Sequence, residues 1–268
     1  LKKHFDNKWG VPKFPMPSLH MFLLKQYQYS GDKALLAKTL LRLDRMAQGG
    51  GYDVIGGGFS RFSTDDKWPV PHFEKMLYDN ALLSIVYADL YQISKCDDYK
   101  YILESIMNYV TRELYKKGGG FYAAQDADSE KAEGKYYVWN YEELKDVLSE
   151  KELQKIKDVY GVTERGNYDT KCFSEVEESA GLKGVHNANI FFLPPKTNVS
   201  DLAKDTELNN IRAKLLKLRT KRIPPLLDDQ IITSWNGLMI AVIIFIIAAP
   251  ESKVAKPMAS VIIVLCWC

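Results

Sequence analysis

Histidine is scarce in this chain, and that scarcity narrows the chemistry open to it. Only His4, His20, His72 and His186 are present, so proton transfer between two paired imidazoles has few candidates. Cysteine is equally thin. Cys96, Cys172, Cys266 and Cys268 form no CxxC pair and no zinc-ligand spacing, which argues against a zinc module and requires no oxidising compartment. No metal and no cofactor is expected. Neither charge dominates: 36 basic residues face 34 acidic ones for a net +2, without the basic stripe that marks a nucleic-acid partner. Long apolar runs are missing too. Leu238–Ala249 and Ala259–Cys268 are strongly apolar but are separated by the charged PESKVAKPM, and neither reaches the 18 or so residues a membrane span needs. The first reads as a buried helix, the second as an aggregation-prone β-branched run.

The opening LKKHFDNKWG has neither an initiating methionine nor a secretory leader, so a cytoplasmic piece of a longer protein is expected. No Ser-rich or Pro-rich linker marks an internal boundary. The division expected is a partial domain over 1–241 and a divergent apolar tail over 242–268.

What the chain does have is an ordinary globular composition, 46% hydrophobic and 26% charged over 268 residues, sufficient for a substantial core. Aromatics make up 12%, including 16 tyrosines and 5 tryptophans, as a sugar-stacking cleft requires and as an ordinary core also would. SLHMFLLKQYQYSGD offers Ser18 as a helix cap and Gly31 as its stop. Asp32 then caps KALLAKTLLRLDRMAQ, and a triple glycine closes this first helical hairpin. HFEKMLYDNALLSIVYADLYQIS reads as one helix of about six turns, led in by Pro71. Asp97 or Asp98 caps YKYILESIMNYVTRELYKK, which ends the second hairpin at Gly118.

The two stops match. GGGFSRFSTDD follows the first hairpin and GGGFYAAQDAD the second, with Gly56 and Gly118 62 positions apart. A repeat on this scale decides the architecture: paired helices, each followed by a glycine-led return, predict an α/α toroid with its loops gathered at one mouth. GFYAAQDADS and GKYYVWN alternate as a short β-hairpin does and are expected to lie over that mouth. YEELKDVLSEKELQKIKDVYG and SDLAKDTELNNIRAKLLKLRTKR read as helices, with one short strand near ANIFFL.

VPKFPMP, GGGFSRFSTDDKWPVPHFEKMLYDNALL, GGGFYAAQDADSEKAEGKYYVWNYEEL and LDDQIITSWNGLMIA together resemble the spermatogenesis-associated protein 20 family. Its members are thioredoxin-domain-containing proteins found from bacteria to animals. The resemblance runs from about Phe5 to Ala241. It implies an all-α, incomplete (α/α)6 toroid of the six-hairpin glycosidase kind, similar also to N-acylglucosamine 2-epimerases. It further implies a thioredoxin-like partner domain that this chain lacks. The chain departs from the family pattern at Ser60 and Leu226, where histidines are common, and past Ala241, where the resemblance stops. The expectation that follows is a truncated, marginally stable product.

Within that frame the candidate catalytic residues are His72, Glu74, Asp126 and Asp128. His72 titrates near neutrality unaided and is the first choice for general acid or base. On a helix it would share a face with Met76 and Asp79, and Glu74 would sit at the helix start, where a carboxylate also favours the macrodipole. Asp126 and Asp128, two apart on an extended segment, face one way, and paired carboxylates perform glycosidic chemistry. Candidate substrate-binding residues are Arg61, Trp68, Asp79, Trp139, Trp235 and Asn236, with Asp65 or Asp66 as alternative partners of Arg61. Asp228–Asp229 reads more simply as helix capping. The function expected is a glycosidase- or sugar-epimerase-like enzyme acting on a small sugar; the alternative is a non-catalytic scaffold or interaction module for a thioredoxin-like domain, in this chain a truncated product without independent activity.

Overall fold

The structure is a computed structural model describing residues 11–168, 187–194 and 197–248, with side chains in the last helix as far as Ile244. His4, His186, Cys172, Cys266, Cys268, the apolar run 259–268 and the tail from 249 onward lie outside the described residues.

Helix α1 (Pro17–Ser30) starts at Pro17, whose fixed φ and missing N–H suit a first helical position; Ser18 is therefore inside the helix and is not its cap. Gly31 ends the helix at φ 69° and donates its N–H to Tyr27. The Asp32 carboxylate accepts the amides of Ala34 and Leu35 at 2.9 and 3.1 Å, capping α2 (Lys33–Gln48), and α1 and α2 pack as a hairpin.

The next segment differs from the expected long helix. Strand β1 (Phe62–Ser63) pairs antiparallel with β2 (Pro71–His72), β3 (Lys75–Met76) follows, and α3 (Leu77–Ser94) starts only at Leu77. Along 71–75 burial alternates, with Pro71, Phe73 and Lys75 inward and His72 and Glu74 outward. That is the period of a strand, so Pro71 leads no helix and Glu74 faces no helix dipole. Lys75–Met76 pairs with β4 (Ala124–Gln125), which pairs with β9 (Leu227–Asp228).

Helix α4 (Asp97–Tyr109) is preceded by Cys96, with Asp97 and Asp98 inside its first turn, and it runs into a π-helical turn over Val110–Leu114. Asp98 instead accepts the Ser200 amide at 2.8 Å. After α4, the two extended stretches expected to form one hairpin pair elsewhere. Strand β5 (Asp128–Ser129) forms its own hairpin with β6 (Ala132–Glu133), and β7 (Trp139–Asn140) pairs with β8 (Ala188–Asn189). The two later helical stretches are each split. Helices α5 (Tyr141–Val147) and α6 (Glu150–Tyr160) are divided where Ser149 forms a capping box with Glu152. Helices α7 (Val199–Lys204) and α8 (Thr206–Arg219) are divided at Asp205, which caps α8. Helix α9 (Thr233–Ala248) is the last described element.

The core is built around α3, which packs against α1, α4 and α9. Leu77, Leu83, Val86, Tyr87 and Leu90 are fully buried along it, so the helix is apolar on almost every side, as a central helix must be. Helices α1 and α9 thus both lie against α3. Met239, Val242 and Ile243 of α9 are buried, while Ile244 is 57% exposed. The chain is mostly helical with short strands, and no helix among the described residues is long and apolar enough to cross a membrane.

Both glycine-led returns close in the same way. Phe59 bridges back to Tyr52, and Phe121 bridges back to Tyr115. Gly58 and Gly120, each just before the phenylalanine, take φ 78° and 83°. A Cβ on Gly58 would stand 2.5 Å from the Tyr109 ring, so both the backbone conformation and the close approach require glycine there.

Candidate functional site

Strand geometry assembles the site. Phe62 and His72 are cross-strand partners, and their rings stack at 4.6 Å and 14°. Phe14 extends this aromatic surface, 5.1 Å from Phe62. His72 Nδ1 lies 2.7 Å from Glu133 Oε1 and Nε2 3.8 Å from Glu74 Oε2. Glu133 stands directly opposite Asp128 in the β5–β6 hairpin, a spacing that brings Cβ atoms to about 5 Å. Arg61 donates through Nη1 to Glu74 Oε2 at 2.9 Å, while its backbone N–H bonds the Glu74 carbonyl at 2.8 Å. Asp126 and Asp128 are both exposed on either side of buried Ala127, so they do face one way.

Charge tuning follows from this packing. Burial works against the His72 imidazolium, but the hydrogen bond and charge of Glu133, with Glu74 behind it, outweigh burial and raise its pKa. The Asp128 pKa is raised by burial first and by Asp126 and Glu133 next, with His72 opposing. Asp79, in the first turn of α3, is 6% exposed. Burial raises its pKa to about 7, against the pull of the Arg61 charge and the Tyr78 hydroxyl. Its Oδ2 has no hydrogen-bond partner. The Tyr78 ring packs on Trp235 at 4.8 Å.

Seven of the ten candidates therefore gather in one neighbourhood: His72, Glu74, Asp126, Asp128, Arg61 and Asp79, with Trp235 joined through Tyr78. Three do not. Trp68 is 5% exposed and lies beneath the Arg42 guanidinium at 5.5 Å, a wedge between elements. Trp139 is 1% exposed, covered by Arg222 at 4.0 Å from its ring. Asn236 gives its amide to backbone, accepting the Phe121 N–H at 2.7 Å and donating to the Phe121 and Ile232 carbonyls. Arg61 takes Glu74 in preference to Asp65 or Asp66; Asp65 organises its own loop by accepting the Val70 amide at 2.6 Å. Asp228 is exposed on β9 and accepts the Gln230 amide at 3.2 Å, so it does not cap α9.

Two participants escape the sequence reading, Glu133 and Tyr78. Glu133 becomes visible only with the β5–β6 register, whereas Tyr78 adjoins Asp79 and would follow from it. Among the described residues no group of three or more His, Cys, Asp or Glu side chains is arranged to hold a metal ion.

These features define a class: a protein of packed helical hairpins carrying an acid–base cluster on the short strands between them. No family model matches the chain. Spermatogenesis-associated protein 20 of Mus musculus is 34% identical over 271 residues, covering 90% of this chain and 33% of the relative. The Homo sapiens protein of the same name is 35% identical over 264 residues, covering 90% and 34%. Both relatives carry the name of the family that the motifs resemble, and this chain spans about a third of their length. Among solved structures, the crystal structure of a sugar epimerase from a ruminal bacterium matches with TM-score 0.37 and 13% identity, over 91% of this chain and 72% of that one. A likeness that loose carries no functional argument.

Proposed function

We propose that residues 1–241 form part of an α/α toroid, with 242–268 a divergent tail, and that the His72 cluster is an acid–base site for a small sugar at its mouth. The observation that carries this reading is the 2.7 Å His72–Glu133 contact beside the Asp126–Asp128 pair. Glu133 orients the imidazole and keeps its proton on toward neutral pH, so that His72 donates to a departing oxygen as imidazolium. Asp126 or Asp128 attacks the anomeric carbon or activates a water there. Glu74 holds Arg61, whose remaining donors bind substrate hydroxyls. Asp79, protonated near neutrality, adds a hydroxyl-binding donor, and Trp235 with Tyr78 offers a ring face. Hydrolysis fits better than epimerisation, which needs a base on each side of a carbonyl carbon. His72 supplies one imidazole to this cluster, whereas His20 is fully buried in α1.

The test is a thermal-shift screen of the chain and of a full-length relative against oligosaccharides and reducing sugars. Saturable stabilisation that disappears in Arg61→Ala supports the site. Absence of any sugar response favours a second reading, a non-catalytic scaffold for a thioredoxin-like domain. That reading has its own support: Trp68, Trp139 and Asn236 are engaged in packing and backbone bonds.

A further inference from the structure

On the reverse side of the strand carrying His72 and Glu74, Lys75 points inward to a second polar cluster that the proposed reaction does not use. Lys75 has a side-chain exposure of 1%, and its Nζ donates to Asp53 Oδ2 at 2.8 Å and to the Gly57 carbonyl at 2.9 Å. Arg219, at the end of α8 with side-chain exposure of 3%, forks onto the same carboxylate at 3.0 and 2.8 Å. The amides of Ile55 and Gly56 also donate to Asp53, at 3.0 and 2.9 Å. The carboxylate is therefore fully occupied, and two buried cations share one anion.

Aromatic faces offset part of the excess. Lys75 Nζ lies 4.5 Å from the Tyr109 ring and 4.8 Å from that of Tyr137, and the Arg219 guanidinium lies 5.3 Å from the Tyr137 ring. Quadrupoles do not cancel a full charge. The adjacent Arg112 pairs with Glu113 at 2.6 Å and so adds no net negative charge. Burial, helped by the Arg219 and Arg112 charges, lowers the Lys75 pKa to about 8 even with Asp53 alongside. Asp53 is held far below the usual carboxylate range because Arg219 and Lys75 overcome its burial.

Against this cluster lies a cavity of about 30 Å³ walled by Asp53, Ser60, Phe73, Lys75, Tyr137 and Ile190 among others. That volume admits one or two waters or a single monatomic ion. Ser60 is 6% exposed, and the Tyr137 hydroxyl has no hydrogen-bond partner. We propose that this cavity binds a small monovalent anion, a halide or a one-carbon carboxylate, with Lys75 as the lining counter-charge and the Ser60 and Tyr137 hydroxyls as donors. The anion offsets the buried positive charge that Asp53 leaves unbalanced. Sulfate, phosphate and sugar acids are too large for the cavity.

Two measurements test the site, neither of which depends on turnover of a sugar. The first is the melting temperature of the full chain in sodium chloride, bromide or formate against sodium gluconate at equal ionic strength. The expected result is a saturable rise of about 2–4 °C in the small anions alone, lost in Ser60→Val, which fills the cavity and keeps all three charges. The second is anomalous diffraction from bromide-soaked crystals, expected to show a peak between Lys75 and Tyr137. A response equal to that in gluconate, or one that persists undiminished in Ser60→Val, overturns the proposal; so does a cavity without a bromide peak.

Discussion

Asn80 and Asn236 make the same set of three hydrogen bonds in two different places. Asn80 accepts the Phe59 amide at 2.8 Å and donates to the Phe59 and Met76 carbonyls at 3.0 and 2.9 Å. Asn236 accepts the Phe121 amide at 2.7 Å and donates to the Phe121 and Ile232 carbonyls at 3.0 and 3.1 Å. Each asparagine stands in the first turn of a core helix, α3 or α9, and each phenylalanine closes a GGGF return. The repeat written in glycines is thus also a repeat of bonding: each return is pinned to the first turn of a later core helix.

Removing either bracket leaves a buried N–H and a buried carbonyl without partners, each worth about 1–3 kcal/mol. Asn80→Ala is expected to destabilise the chain by about 2–4 kcal/mol in urea denaturation, with Asn236→Ala similar. A midpoint within experimental error of wild type would show that water replaces the amide and that the bracket is incidental.

His72 and Glu133 set a pH dependence of definite sign. The folded pKa of His72 is raised above its unfolded value, so the contact contributes stability that is fully present below the unfolded pKa of about 6.5. That contribution is lost as pH rises through the folded value. Glu133→Gln removes the main opposing influence to burial and is expected to lower the His72 pKa, read from the imidazole proton shifts by NMR titration. An unshifted titration curve would mean that Glu133 does not hold this ring.

Asp79 works the other way. Its pKa is raised to about 7 by burial, so the folded chain holds a proton that the unfolded chain releases near pH 4. Stability therefore falls as pH climbs from about 4 to 7, by a total on the order of 4 kcal/mol. Asp79→Asn keeps the shape without the charge; it is expected to flatten that decline and to melt higher than wild type at pH 8. A variant that loses stability at every pH would contradict a protonated Asp79.

Trp68 and Trp235, both candidate substrate-binding rings, sit in different surroundings: Trp68 is buried, and Trp235 packs on Tyr78. Trp68→Ala opens a cavity beneath Arg42 and is expected to destabilise by about 3–5 kcal/mol. Trp235→Ala, whose ring lies on Tyr78 beside the acid–base cluster, should lower sugar-dependent stabilisation more than it lowers the melting temperature. Parallel thermal melts with and without ligand separate the two effects.

Much of the helical framework is legible from end signals, because Gly31, Asp32 and Gly49 act through local backbone chemistry that needs no tertiary context. The GGGF repeat is legible for the same reason, since only glycine suits φ near +80° against the Tyr109 ring. The two short strands at 71–72 and 75–76 are hidden by composition. HFEKMLYDN runs unbroken into a helix, and its alternation between solvent and core appears only once Phe62 pairs with His72 and Gln125 with Lys75. Glu133 is hidden in the same way, because its approach to His72 depends on the register of a hairpin of two-residue strands. Trp68 and Trp139 show the converse: an aromatic in a suggestive motif gives no indication of which side of the backbone it packs on.

The central claim is tested most directly by measuring turnover of an oligosaccharide panel across pH, comparing wild type with His72→Gln. The account predicts hydrolysis by wild type, with a rate that declines as His72 loses its proton. It also predicts a loss of at least about a hundredfold in the variant at a temperature where both proteins are folded. Equal rates in the two proteins, or no hydrolysis of any sugar by wild type, would contradict it.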